Sequence, residues 1–177
     1  MSLSVAAQEF TRADSLRGSI TPQRAWWDVM RYDIEVQPDY DKQFTSGANQ
    51  ITYKVVQEKH PDVMQIDLQE PLVIDRILFD DATELQFKRE GNVYWVNTLP
   101  QELDSEHTVK IFFSGNPHVA VRPPWDGGWS FSKDAEGRPL MTVTCQGLGA
   151  SIWYPNKDHQ SDEPDRGASL TMRVLMR

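Results

Sequence analysis

The sequence predicts an all-β domain, a curved saddle-like or sandwich arrangement of mixed and antiparallel strands preceded by a short N-terminal helix. Three observations carry this expectation. Apolar and polar residues alternate with period two in about nine short runs from residue 29 onward. Brief turns rich in Pro, Gly and Asp separate the runs, and helix-forming residues gather only near the start.

Residues 5–16, VAAQEFTRADSL, are good helix formers with a thin apolar face, and Gly18 marks the stop. A turn through Pro22 follows, and Trp26 and Trp27 are expected to anchor the segment by burying large rings. In VMRYDIEVQ (29–37) alternation puts Met30, Tyr32, Ile34 and Val36 on one face and Val29, Arg31, Asp33, Glu35 and Gln37 on the other. Further strands are expected over 46–57, 62–69, 72–79, 83–89, 92–98, 106–115, 139–145 and 168–177. Pro61, Pro71, Asp80, Asp81 and Gly91 supply the turns. Residues 115–139 break the pattern: rich in Pro, Gly and Trp, they are long for a structureless loop, so they are expected to be functional or packed on a neighbour.

At 39% apolar, 177 residues can bury one core of ordinary size. The formal net charge of -8 repels phosphate backbones and argues against nucleic-acid binding. No apolar run is long enough to span a bilayer. A single cysteine excludes an internal disulfide, and both an exported or periplasmic and a cytoplasmic bacterial location stay open. The opening MSLS reads as a tag remnant, and ASLTMRVLMR ends inside a strand-like pattern without a turn, so the expected protein is longer than this chain.

Chemistry-bearing patterns are few. His60, His107, His118 and His159 show no paired spacing, and one thiol cannot build a thiolate site, so no metal site is expected. Asp158, Asp162, Glu163 and Asp165 fail the calcium-loop pattern and read as a solvated or capping acidic turn. Asp158 and His159 are neighbours on an extended chain and point opposite ways, which disfavours an oriented general base. Cys145 is expected to be a buried, neutral thiol in an apolar strand. In RPPWDGGWSF, Trp125 and Trp129 could stack on a sugar while Asp126 bonds a hydroxyl, the reading of a free-standing carbohydrate-binding β-sandwich; packing of the loop is its alternative. A domain that only makes protein contacts is a third reading.

CQGLGASIWYPNKDHQSDEPD (145–165) resembles the end of the N-terminal β-domain of the zinc aminopeptidases of the aminopeptidase N family, the gluzincin metallopeptidases. WWDVMRYDIEVQPDYDKQFTSGANQITYKV (26–55) is similar to the opening of that domain, with its Y-D-I-x-V and G-x-x-x-I-x-Y patterns, and PPWDGGWSFSKDAEGRP resembles bacterial, Bacteroidetes-like members. The resemblance implies an N-terminal remnant and helix over 1–24 and the family's β-domain over 25–177. By the same resemblance, Gln146 matches the residue that reaches into the active site and helps hold the free amino terminus of a peptide substrate. Thr144, Ser151 and Asn156 depart from the commoner Gln, Arg and Cys of the family. The His-Glu-x-x-His helix and the Gly-x-Met-Glu-Asn strand are absent from these residues. Zinc is therefore expected in a missing catalytic domain of the same polypeptide, with no cofactor in this chain, which alone should be inactive.

Overall fold

In the computed structural model, which describes residues 10–160 and 164–173, the alternating runs become two facing sheets and a separate hairpin. Two short helices lead, α1 (Arg12–Gly18) and α2 (Pro22–Ala25). The strands described are β1 (Trp27–Asp39), β2 (Phe44–Val55), β3 (Val63–Asp67), β4 (Val73–Phe79), β5 (Thr83–Glu84) and β6 (Phe87–Glu90). They continue with β7 (Val93–Asn97), β8 (Glu106–Gly115), β9 (Gly128–Lys133), β10 (Pro139–Thr144) and β11 (Ala168–Met172). The large sheet has the order β11-β1-β2-β8-β4-β5, antiparallel except where β11 runs parallel to β1. The small sheet is β3-β7-β6, and β9 pairs with β10 alone. The fold is all-β and mixed, as the sequence predicts.

One core fills the space between the two sheets. Ile51, Ile111 and Phe113 from the large sheet and Met64, Ile66 and Val96 from the small one belong to it, each at most 1% exposed. Trp26 and Trp27 are both 0% exposed. Burying such rings stabilises the fold by at most about 4–6 kcal/mol each, at about 25 cal/mol per Å². Their indole nitrogens donate to Val63 O at 3.1 Å and Gln23 O at 2.9 Å, so the rings enter the core without an unpaired donor. This is the anchoring expected of the pair.

Several local features differ from the sequence reading. Helix α1 starts at Arg12 because a capping box forms between Thr11 and Asp14; residues 5–9 of the expected helix lie outside the described residues. Proline 22 opens the helical turn α2 where only a turn was expected. In β1, Val29 pairs with Tyr53 and Arg31 with Thr52, so Met30 is the extra residue of a bulge. Val29, assigned by alternation to the polar face, is thereby turned inward and is 0% exposed, while Met30 is only half-buried. A second bulge between Ile74 and Arg76 keeps both Ile74 and Ile77 in the core. Asp80 and Asp81 take φ of 46° and 58°, the positive values that a tight hairpin turn between β4 and β5 needs. Within the irregular stretch 115–139, residues Gly128–Lys133 form β9.

Candidate functional site

Residues 145–158 run from the end of β10 back into the core, and side chains from α1, β3 and the residues just after β3 staple them there. The chain first turns tightly, with Leu148 N and Gly149 N both donating to Cys145 O at 3.1 and 2.9 Å. Gln69 donates through its amide to Leu148 O and, at 2.9 Å, to Ser151 Oγ, while Arg17 of α1 donates to Gly147 O. A 3-10 turn follows over Ala150–Ile152. Asp158 caps it, accepting from Ser151 N at 3.1 Å and Ser151 Oγ at 2.6 Å. Gly149, at φ 83°, must be glycine here, because an added Cβ would lie 2.3 Å from an Asp158 oxygen.

Beneath this segment lies a buried polar chain. Asp158 N donates to Asp67 Oδ2 at 3.0 Å, and Asp67 and Asn156 exchange backbone hydrogen bonds at 2.8 and 3.0 Å. Arg24 Nη2 donates to Asp67 Oδ2 at 2.6 Å and Gln65 Nε2 to Oδ1 at 3.0 Å. The other Arg24 nitrogen, Nη1, donates to Leu16 O and Arg17 O at the carbonyl end of α1 and to Ser19 O just beyond it. Burial holds the Asp67 carboxyl above the usual carboxylate range, and Arg24 and Gln65 oppose that shift only in part. A cavity of about 530 Å³ opens beside this chain, walled by α1 together with Asp67, Gln69, Ser151 and Asp158.

The sequence reading did not anticipate this network. Alternation in DVMQIDLQ puts Gln65, Asp67 and Gln69 on the polar face of β3 and its extension, yet each is at most 8% exposed. Helix α1 and residues 149–158 cover that face. The only local signal was the run of three hydrogen-bonding side chains at alternate positions; Arg24 lies 43 residues before Asp67 and nothing local marks it as the partner.

Gln146 itself sits exposed at the head of the turn. Cys145 is also exposed, which corrects the expectation of a buried thiol: β10 ends at Thr144, so the cysteine leaves the strand before it can be covered. Partial desolvation of its sulfur, then the Asp158 charge, push the thiol up, so it stays neutral at pH 7. His159 follows Asp158, whose carboxylate is turned to Ser151. Asp162 and Glu163 lie outside the described residues.

The two tryptophans proposed for sugar stacking part company. Trp125 is 83% exposed, whereas Trp129 is 3% exposed and stacks on Phe131 at 6.0 Å. Asp126 accepts from Val121 N and Arg122 N, both at 2.7 Å, and so holds the loop together. The carbohydrate platform therefore does not form: packing claims one ring and the backbone claims the carboxylate.

No protein-family model matches the chain, and no curated protein does. Solved structures do. The M1 zinc metallopeptidase from Deinococcus radiodurans is similar with a TM-score of 0.58 at 19% identity, over 85% of this chain and 32% of its own. Native leukotriene A4 hydrolase from Saccharomyces cerevisiae is similar with a TM-score of 0.62 at 16% identity, over 84% of this chain and 23% of its own. Yeast LTA4 hydrolase in complex with bestatin gives 0.65 at 15% identity, over 86% and 24%. The likeness is one of fold. This chain spans about a third or less of the length of the structures it matches.

The shared fold covers about 85% of the chain and agrees with the all-β class expected from the sequence. Their metal finds no fit among the described residues, where no three His, Cys, Asp or Glu side chains gather as ligands. No described helix is long and apolar enough to cross a membrane.

Proposed function

We propose that this chain is the N-terminal, non-catalytic domain of a zinc-dependent metallo-aminopeptidase, an enzyme that removes N-terminal amino acids from peptides. In this reading Gln146 lines the substrate cleft and accepts a hydrogen bond from the free ammonium group of the peptide. The observation that carries it is a coincidence of two independent likenesses. The motifs of residues 26–55, 123–139 and 145–165 resemble those of the aminopeptidase N domain in order, and 85% of the chain is similar in fold to 32% of an M1 zinc metallopeptidase.

The local chemistry suits the role. An amide oxygen accepts from an ammonium group, and such a charge-assisted bond contributes about 1.5–3 kcal/mol. Arg17, Gln69 and the Cys145 carbonyl fix the turn from three sides, so Gln146 would meet a substrate without a further ordering cost from its backbone.

Sequencing the gene beyond Arg177 and assaying its full product tests the proposal. The frame is expected to continue, to encode a His-Glu-x-x-His helix, and to yield a protein that releases the first residue from unblocked peptides but not from acetylated ones. A stop codon soon after Arg177, or a full-length product inert toward unblocked peptides, would overturn it.

A further inference from the structure

Apart from Phe10, the most exposed large apolar side chains described are Trp125 and Val121, at 83% and 82%. Both belong to the 119–127 loop, whose backbone Asp126 ties at Val121 N and Arg122 N. Exposed aromatic rings on mobile loops are ordinary, but this loop is tied down at every level. Asp126 bonds two of its backbone N–H groups, Trp125 N donates to Arg122 O at 2.9 Å, and Ala120 N and Trp129 N bond across its base at 2.9 and 2.8 Å. The backbone thus presents a tryptophan to solvent in a fixed place, the arrangement that gives contact area at low ordering cost.

The loop is also fixed relative to Gln146. At its base, Gly127 lies so close to the 146–148 turn that an added Cβ would be 2.7 Å from Leu148 Cδ1 and 2.8 Å from Gln146 O. Trp125 lies two positions before Gly127, a span of at most roughly 7 Å, and each residue of an extended peptide advances about 3.3–3.6 Å. Trp125 thus belongs to the segment packed on the Gln146 carbonyl, two positions along the chain from that contact, a span that two or three residues of an extended peptide held at Gln146 would cover.

We propose that Trp125 and Val121 form an apolar wall for the second and third side chains of the peptide substrate, making the enzyme favour apolar residues behind the one it removes. The inference rests on the reading of Gln146 as an ammonium acceptor.

The test uses the full-length product, with Ala-Phe-Phe, Ala-Ser-Ser and alaninamide as substrates for the parent protein, Trp125→Ala and Trp125→Phe. Trp125→Ala is expected to lower kcat/KM for Ala-Phe-Phe about tenfold, the size of one lost aromatic contact, while changing alaninamide turnover less than twofold. Trp125→Phe should recover most of the loss, and melting temperatures should agree within about a degree. An equal fall on all three substrates with a lower melting temperature means that Trp125 packs against the rest of the polypeptide, and it overturns the proposal. Unchanged kinetics throughout also overturn it while leaving the aminopeptidase reading intact. A parent protein inactive on all three substrates sinks that reading first.

Discussion

Arg24 Nη2 lies 2.6 Å from Asp67 Oδ2 with the two side chains 1% and 7% exposed, an ion pair sealed between α2 and the small sheet. The pair joins α1, through the carbonyls that Arg24 caps, to the 145–158 segment, through the Asp158 N–H that Asp67 accepts. It costs desolvation on both sides, and Gln65 and the Asp158 N–H offset part of that cost by filling the remaining carboxylate sites.

Breaking that pair from one side leaves a buried charge. Asp67→Ala and Arg24→Ala are each expected to destabilise the chain by about 3–5 kcal/mol in urea unfolding. The double variant should lose less than the sum of the two, because neither charge is then stranded. Strict additivity would mean that the two groups act independently.

Gln146 is exposed, so its truncation should spare the fold. In the full-length protein Gln146→Ala is expected to lower kcat/KM for unblocked peptides by a factor on the order of 10 to 100, with zinc content and melting temperature unchanged. Gln146→Glu should restore or exceed the original value, since a carboxylate adds Coulomb attraction to the same cation. Full activity in a folded Ala variant excludes the substrate contact.

Gly149→Ala meets two obstacles at once. The residue sits at φ 83°, and its new methyl group would collide with the Asp158 carboxylate that caps the 3-10 turn. A loss of about 2–4 kcal/mol is expected, from backbone strain of order 1–3 kcal/mol together with the weakened cap. Chemical denaturation measures it, and a loss below about 0.5 kcal/mol would show that the turn relaxes freely.

Strand β11 is tied to the large sheet partly by Arg166, which donates to both Glu106 oxygens at 2.8 and 2.6 Å. That hydrogen bond, and then the Arg166 charge, hold the Glu106 carboxyl below the usual range. A depressed carboxyl contributes stability above the unfolded value of about 4.3 and loses it as pH falls through the folded value. Amide signals of residues 168–172 should therefore shift or broaden as pH drops below about 4.3, and in Glu106→Gln this step should vanish. A step that persists in the variant would assign it to another carboxylate, such as Asp33.

Most strands were legible from alternation, with boundaries within a few residues, because the long strands of the large sheet, such as β1 and β8, alternate buried and partly exposed residues. Trp26 and Trp27 announced themselves as anchors by size alone, and Asp80 and Asp81 as a turn by their tolerance of positive φ. Fold class followed from these.

What the sequence could not determine was which second layer would cover each strand. Period-two patterning reports the apolar side of a strand and says nothing of what lands on its other side, so nothing in the strand pattern of 62–69 shows that α1 and residues 149–158 close over Gln65, Asp67 and Gln69. A one-residue bulge at Met30 reverses the facing of Val29, and nothing in the local composition marks it. Only pairing across the sheet fixes that register. The same holds for the tryptophans: Trp129 pairs with Val143 in the β9–β10 hairpin and is buried, whereas Trp125, four residues earlier, is left in solvent by a loop that Asp126 and Gly127 hold in place. Identical side chains took opposite fates because burial is decided by contacts between segments distant in sequence, whose free energies do not exist until the tertiary structure brings them together.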